Sequence, residues 1–504
     1  MLRRTILHSL PRFPTRPRYL FKRNNFTPST NNPLAIYARL AKYALISLFG
    51  AGVVTWTAFE SAHLYVENIE LASERDEEVL RWEWDQETER WSGGDGGGTD
   101  PALGFKGRHA VRSAWMAQNW GIGPGSNVIG SNAFSGKGPS GAGGLNVVEA
   151  RLEFAQDYLA IALEIAEAKG ADGNLHPDTI LRLLSRHAGV LERMGSRASF
   201  FESRSDLEKV WARLPGEGMD TARVALKLGD LNYRLGDRED ALIWWGKAIQ
   251  LIQADKQRNV EDIASVVPKS APDSPLAQRT LVSTLVSLSA FYATSGQLKQ
   301  AKTIEESSLD LLRTITPPNS IKSASAPQTL HALYILHRSS LLSVHLAEVL
   351  YALRSSKSSS IEWLKRAAES SERVALNLTG LPPIHPDAPL SKIPHPPASE
   401  APLLPVFSQS ISMKKPATSL LRDARRTAAE AWNLMGILNE EAEASNPEKA
   451  LKCYERALGW AGVLYDRPSG VAEPGEGILE AEWKVFWANY VRARNAVQKR
   501  PDKP

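Results

Sequence analysis

Residues 221–251, TARVALKLGDLNYRLGDREDALIWWGKAIQL, contain the pattern that decides the fold. Small and apolar residues recur at helical spacing on both sides of a tight turn at Leu235-Gly236-Asp237, which predicts two helices packed against each other. The expected packing positions are Ala225, Leu228, Gly229 and Tyr233 in the first helix and Ala241, Trp245 and Ala248 in the second. The small residues at 229, 241 and 248 let the helices approach closely, while Trp245 fills the space beside them.

This set of residues, with its spacing, resembles the tetratricopeptide repeat, although the closing proline of that motif is missing. Stretches 282–312, 341–368 and 429–458 carry partial versions of the same pattern. The resemblance implies an all-α, tetratricopeptide-like helical repeat solenoid over residues 146–504. We expect residues 146–214 to form a degenerate first repeat and residues 481–497 to cover the apolar face of the last one.

The repeats are separated by irregular insertions, which interrupt the stacking of a regular array. The longest is a Pro-rich insertion at 381–418, and shorter ones lie at 259–275 and 316–327. Proline cannot donate a backbone hydrogen bond, so we expect the Pro-rich stretch to be an exposed, extended loop. It is either a plain inserted loop or a polyproline ligand for a partner.

Ahead of the repeats, residues 43–59, YALISLFGAGVVTWTAF, form an uncharged run of 17 residues. A helix of this length reaches about 25 Å, and a few flanking residues complete a membrane crossing. The alternative is a buried helix of a soluble domain. Charge on the two flanks favours a membrane span: residues 1–43 carry nine Lys/Arg and no acid, whereas residues 60–90 carry eleven acids and three Arg. We therefore predict a transmembrane helix at 43–66.

Residues 1–42 are rich in arginine and free of acid, which is typical of a mitochondrial targeting segment. Such a leader followed by one span predicts a single-pass protein of the mitochondrial inner membrane with its C-terminal domain in the intermembrane space. Outside the leader the chain is net acidic, so we expect no nucleic-acid partner. The single cysteine, Cys453, excludes an intrachain disulfide.

Residues 67–145 link the span to the repeats. EVLRWEWDQETERW, within 60–91, places three tryptophans among charges, and we expect it to extend the membrane helix into water. The remainder is a Gly/Trp-rich loop, in which HAVRSAWMAQNW predicts a short helix that docks its aromatic side chains on the repeats.

No pattern of catalytic residues is present, so we expect a protein that is not an enzyme. The chain has no HExxH, CxxC, GxSxG or GxxxxGK[ST] pattern, and we expect neither a metal nor a cofactor. His109 lies among basic residues and is the strongest single candidate for acid/base chemistry. A packing or hydrogen-bonding role is the better interpretation of a lone histidine.

The candidate site is the concave groove that helical repeats offer to peptides. Its expected peptide-facing positions are Arg223, Leu226, Asp230, Tyr233 and Arg234. Repeats that clamp the acidic tails of chaperones resemble one another in a Lys/Asn pair, which Leu226 and Asp230 replace here. We therefore expect an apolar or mixed groove ligand, or a groove whose residues only coat a scaffold.

Targeting segment, span and repeat domain together resemble the tetratricopeptide adaptor subunit of the i-AAA protease supercomplex of fungal mitochondria. The resemblance implies a non-enzymatic adaptor that binds the AAA protease complex and presents unfolded or misfolded proteins to it for degradation. Alternatives are another assembly or scaffold factor of the inner membrane, or an outer-membrane tetratricopeptide receptor that faces the cytosol.

Overall fold

The structure is a computed structural model that describes residues 33–87, 91–121, 127–129, 147–170, 173–253, 267–315, 318, 323–381, 401–442, 447–462 and 480–499. The chain divides into two compact units, residues 1–62 and 63–504. The targeting segment predicted at 1–42 lies largely outside the described residues. So do the core of the Pro-rich insertion at 382–400 and the turn at 443–446.

The described residues are almost entirely helical, which confirms the predicted all-α class. The helices are α1 Pro33–Tyr65, α2 Glu77–Arg81, α3 Trp84–Glu87, α4 Gly104–Trp120, α5 Ala150–Gly170, α6 Thr179–Met194, α7 Arg197–Arg213, α8 Met219–Leu235, α9 Arg238–Gln253, α10 Pro275–Thr294, α11 Leu298–Thr314, α12 Ala326–Ala352, α13 Lys357–Thr379, α14 Pro405–Ser408, α15 Lys414–Ala442, α16 Pro447–Trp460 and α17 Glu480–Gln498. One short antiparallel ladder joins β1 Asn127–Ile129 to β2 Val147–Glu149, with Val128 opposite Val148.

The first unit contains most of α1, a 33-residue helix. It is long and apolar enough to span a membrane, and its apolar side chains between 37 and 58 are exposed. A helix that is apolar all round and buries none of that surface is suited to lipid rather than water. The observed helix begins ten residues before the span predicted at 43–66 and ends one residue short of it.

The second unit is built from consecutive helices that pack as hairpins: α6 with α7, α8 with α9, α10 with α11, α12 with α13, and α15 with α16. In the α8–α9 hairpin, Ala225, Leu228, Ala241, Trp245 and Ala248 are buried as the sequence predicts. Gly236 ends α8 with a φ of 97°, a left-handed conformation that glycine adopts without strain.

In two hairpins, a helical glycine packs directly against an aromatic ring of the returning helix. A Cβ added at Gly229 would lie 2.5 Å from the Trp245 ring, and one added at Gly436 would lie 2.5 Å from the Tyr454 ring. Both rings are buried. Only glycine leaves room for this contact, so the glycine–aromatic pair sets the distance between the helices of each hairpin.

A buried carboxylate joins the helices near the C-terminal end. Glu372 of α13 accepts hydrogen bonds from the indole nitrogens of Trp432 and Trp460, each at 2.7 Å, and forms an ion pair with Arg456. The guanidinium of Arg456 also lies 4.2 Å from the centre of the Trp432 ring. Because three donors satisfy the carboxylate, it can be buried among α13, α15 and α16 without an unpaired charge.

The region between the span and the repeats differs from the sequence prediction. Helix α1 does not continue as one helix through residue 80, because a π-helical turn at Val66–Glu70 ends it. Asp76 then caps the separate helix α2 by accepting from the backbone nitrogen of Glu78 at 2.9 Å. Residues 91–103 of the predicted Gly/Trp-rich loop are ordered as turns, and the short helix predicted there is the 17-residue α4.

The Pro-rich insertion predicted at 381–418 is shorter at its C-terminal end. Helix α14 and the first residues of α15, from Lys414, lie inside that range. Phe407 of α14 is 2% exposed and belongs to the core around α13 and α15. Burial of this phenylalanine explains why the chain returns to the repeats before residue 418.

We expect Gly229→Ala to destabilise the folded chain by about 1–3 kcal/mol, because the new methyl group would overlap the immobile Trp245 ring. Gly189→Ala is the matched control, since Gly189 is also within a helix but has nothing within 4 Å of the added Cβ. That control should be neutral or should stabilise by about 0.5–1 kcal/mol. Urea unfolding of the detergent-solubilised chain measures both. Equal effects of the two substitutions would contradict the proposed close contact.

Candidate functional site

Residues 76–87, which we call the groove segment, lie across the first helices of three consecutive hairpins. This segment contains α2 and α3 and is joined to α1 by the π-helical turn at Val66–Glu70 and by residues 71–75. Its partners are Arg223 of α8, Arg279 of α10 and Pro327 of α12. The repeat face on which a peptide ligand is expected therefore already holds a peptide, and that peptide belongs to the same chain.

Arg279 is the centre of this contact. Its guanidinium donates to the backbone oxygens of Trp82 at 3.1 Å and Glu83 at 3.0 Å, and to Glu87 Oε1 at 2.9 Å. It also lies 4.0 Å from the centre of the Trp84 ring, and the residue is 1% exposed. A guanidinium that is removed from water is stable only when its donors are satisfied, and the groove segment supplies three acceptors and a π face.

Glu83 holds the segment at a second point. Its carboxylate accepts from Ser274 Oγ at 2.6 Å and from the backbone nitrogen of Leu276 at 2.8 Å, at the N-terminus of α10. A helix N-terminus attracts negative charge because its backbone N–H groups have no helical partner. Glu83 has a φ of 55°, which is unfavourable for a residue with a Cβ, so these contacts offset the strain.

Apolar burial adds to these polar contacts. Trp84 is 1% exposed, donates from Nε1 to the Pro327 oxygen at 2.9 Å, and joins the core that contains Leu330 and Leu333. Val79 is also buried in that core, and the Trp82 ring lies 5.2 Å from the ring of His331. Burial of the Trp84 side chain alone contributes several kcal/mol.

The structure distributes the five residues predicted for the peptide groove among different roles. Arg223 donates to the Gln86 oxygen at 2.7 Å and so contacts the groove segment. Leu226 packs on the core between α8 and α10, and Asp230 accepts from Trp245 Nε1 at 3.0 Å. Tyr233 shares a hydrogen bond with Thr294 at 2.8 Å, and Arg234 pairs with Glu192 at 3.0 Å. Of the five, Arg223 has a direct contact with peptide, while the others hold neighbouring helices together.

Positive charge is concentrated beside Arg223. Burial and the charges of Arg186, Arg193 and Lys227 lower the pKa of Lys415 to about 7. Burial and the charge of Arg223 lower the pKa of Arg186 to about 9. The cations come from α6, α8 and α15, which are far apart in the sequence. Within this group, Lys227 pairs with Glu192 and Arg223 lies near Glu87 and Asp220, so carboxylates of the same chain already balance part of the charge.

One polar cluster has the residue types of a catalytic triad but not its geometry. Ser289 Oγ lies 3.0 Å from His345 Nδ1 and 3.3 Å from Glu305 Oε1. Burial raises the pKa of Glu305 to about 8, and burial lowers the pKa of His345 to about 4. The carboxyl group contacts the serine rather than orienting the histidine, and Ser289 is 0% exposed. This cluster packs α10, α11 and α12 together and offers no access to a substrate.

The other residues with possible chemistry also have packing contacts. The His109 ring lies between the rings of Phe105, at 3.9 Å, and His63, at 4.4 Å. Cys453 is buried, and burial raises the pKa of its thiol to about 12, so it is not a reactive thiolate. Within the described residues, no group of three or more His, Cys, Asp and Glu side chains is arranged to hold a metal ion.

The sequence pattern did not lead us to expect that the groove segment fills the groove. An indication was present in EVLRWEWDQE, where tryptophans alternate with acids and no apolar stripe of a helix is formed, so the tryptophans need another part of the chain to pack against. Arg279 carried no signal, because a single arginine in an apolar helix has no recognisable pattern.

No protein-family model matches this chain, and no curated protein matches its sequence.

We expect Trp84→Ala to destabilise the repeat domain by about 3–5 kcal/mol, because it opens a cavity in the core under α12. Leu80→Ala is the matched control in the same segment, since Leu80 is 42% exposed and should change stability by no more than about 0.5 kcal/mol. Urea unfolding in detergent measures the stability of each variant, and limited proteolysis after residue 81 measures how exposed the segment is. If Trp84→Ala left the stability and the cleavage rate unchanged, the segment would not be part of the folded core.

Glu305 predicts a pH dependence of stability. Since its folded pKa is about 8 and its unfolded pKa is near 4.5, the folded chain binds one more proton between these values. This contribution to stability is fully present below the unfolded pKa and is lost as pH rises through about 8. Burial also raises the pKa of Glu348 to about 7, so ionisation of Glu348 lowers the stability of the folded chain as pH rises, as ionisation of Glu305 does. Burial lowers the pKa of His345 to about 4, so this histidine changes the stability mainly below about pH 6.5.

Glu305→Gln should therefore reduce the loss of unfolding free energy between about pH 6.5 and about pH 8. Denaturant titrations of the two proteins at several pH values measure the slopes. Glu348 is retained in both proteins, so only the part of its titration that is coupled to Glu305 differs between them. An unchanged slope would show that Glu305 is already ionised in the folded chain.

Proposed function

We propose that this chain is a non-enzymatic, membrane-anchored adaptor whose helical repeat domain includes the groove segment that follows the anchor. The observation that supports this best is the buried contact of Arg279 with the backbone of residues 82 and 83. That contact lies 17 and 18 residues after the end of α1, so the connection between the proposed anchor and the contact is short. A short connection is suited to a protein that works on partners at the membrane surface.

The specific proposal is an adaptor of the i-AAA protease complex in the mitochondrial inner membrane, with the repeat domain in the intermembrane space. Three features support it: an acid-free, arginine-rich leader, one helix capable of spanning, and a domain of helical hairpins. In this role, the repeat domain binds the protease complex and presents unfolded or misfolded proteins to it. The Ser289 cluster, which resembles a catalytic triad in composition only, gives no support to an enzyme.

Membrane insertion and location are tested first. We expect the full-length chain to stay in the pellet after carbonate extraction of mitochondria at high pH. We expect added protease to digest the repeat domain in mitoplasts but not in intact mitochondria. Digestion in intact mitochondria would place the domain in the cytosol and favour an outer-membrane receptor, and release by carbonate would contradict the anchor.

Partnership is tested by crosslinking the chain in mitochondria and identifying the crosslinked proteins by mass spectrometry, with and without detergent. The adaptor proposal expects crosslinks to a AAA protease that survive mild detergent, together with crosslinks to unfolded client proteins. If stable crosslinks formed only to subunits of another inner-membrane assembly, the chain would be a scaffold factor instead.

A further inference from the structure

Helix α4 and the end of α1 share a cluster of aromatic side chains that is open to solvent. The ring of Tyr65 lies 6.2 Å from the ring of Trp120, and Trp120 lies 5.6 Å from Trp115 in an edge-on arrangement. Tyr65, Phe105 and Trp120 are 48%, 61% and 51% exposed, respectively. Several large aromatic side chains exposed on one helix indicate an interaction surface.

The contacts of α4 reach one short stretch at the start of the second unit. His109 contacts His63, and Trp120 contacts Tyr65. His109 and Trp120 are about 16 Å apart along α4, whereas His63 and Tyr65 are about 3 Å apart along the chain. The middle and the C-terminal end of α4 therefore both lie near residues 63–65.

Polar contacts also hold α4 against this stretch. Glu67, in the π-helical turn after α1, pairs with Arg108 at 3.0 Å and Arg112 at 3.6 Å. The Glu67 carboxylate also accepts from Thr99 Oγ1 at 2.7 Å and from the Thr99 backbone nitrogen at 2.9 Å. The opposite face of α4 is buried through Val111 and Ala114 in the core with α5. Helix α4 is thus held on two sides, while its ends at Phe105 and Trp120 remain exposed.

The length of α1 places this cluster at the edge of a bilayer. The uncharged run at 43–59 covers about 25 Å of a hydrocarbon core of about 30 Å, so the core also takes the next few residues. Tyr65, six residues after residue 59, then lies in the headgroup layer. Tyrosine and tryptophan are enriched in this layer because their rings are apolar and their polar groups contact water. Lys106, which is exposed beside Phe105, can reach phosphate groups with its long side chain.

We propose that α4 is an interfacial helix that lies flat in the headgroup layer of the membrane, with Phe105 and Trp120 inserted at its two ends and Lys106 at the lipid phosphates. This inference rests on membrane insertion of α1, which is part of the proposed function. Its consequence is a fixed distance and orientation of the repeat domain relative to the bilayer, since α4 packs directly on α5.

The experiment uses the full-length chain in nanodiscs, with an environment-sensitive fluorophore on single introduced cysteines. The native Cys453 is buried and does not compete for the label. Phe105→Cys and Trp120→Cys test the proposal, and both side chains are exposed enough to be replaced without loss of core packing. Ile243→Cys on α9, at 52% exposed, and Phe201→Cys on α7, at 42% exposed, are matched controls.

Lipids brominated near the headgroup should quench the labels at 105 and 120, while iodide in the water should quench the labels at 243 and 201 more strongly. The inference is overturned if iodide quenches the labels at 105 and 120 as strongly as the controls and brominated lipids leave them unchanged.

Val54→Cys reports separately on the anchor, because residue 54 lies within the apolar run of α1. Quenching of this label by deeply brominated lipids, combined with the aqueous result at 105 and 120, would overturn the interfacial helix and leave the anchor intact. Absence of quenching at 54 would overturn the anchor, and with it the proposed function and this inference.

Discussion

The repeat domain depends on one buried charge. Arg279 has almost no contact with water, and most of its hydrogen bonds are made to residues of the groove segment, with one further contact to His331 Nδ1 of α12 at 3.3 Å. The acceptors of the segment replace the water that would otherwise solvate the guanidinium, which offsets a desolvation cost of several kcal/mol. The segment and the repeats are therefore one folding unit, and the peptide is a structural element instead of a removable ligand.

This dependence limits where a partner can bind. The faces of α8, α10 and α12 that a repeat protein would offer to a peptide are occupied at Arg223, Arg279 and Pro327. The positive charge around Lys415 and Arg186 lies beside this occupied part and is formed by helices from both ends of the domain.

Local pattern was sufficient for much of the helical framework. Gly229 and Trp245 were both predicted as packing positions from spacing alone, because a hairpin brings residues of two adjacent helices together across one short turn, and the structure shows that they contact each other. The apolar run in α1 was equally clear, since a span is defined by length and composition. By contrast, the break after residue 70 was missed, because the charges of residues 74–78 fit a helical surface as well as they fit a cap at Asp76.

The candidate site was decided by contacts between residues far apart in the chain. Arg279 and Glu83 are nearly two hundred residues apart, and no local spacing relates them. The five groove positions in α8 were predicted from a single repeat without neighbouring helices. Asp230 and Tyr233 were therefore expected to face a ligand, whereas in the structure they contact Trp245 and Thr294 of adjacent helices. By itself, the sequence determined an apolar helix and a series of helical hairpins, because both follow from the periodicity of neighbouring residues. Only the tertiary structure decided that the acidic, tryptophan-containing segment fills the groove, because a buried arginine takes its acceptors from whichever part of the chain can supply them.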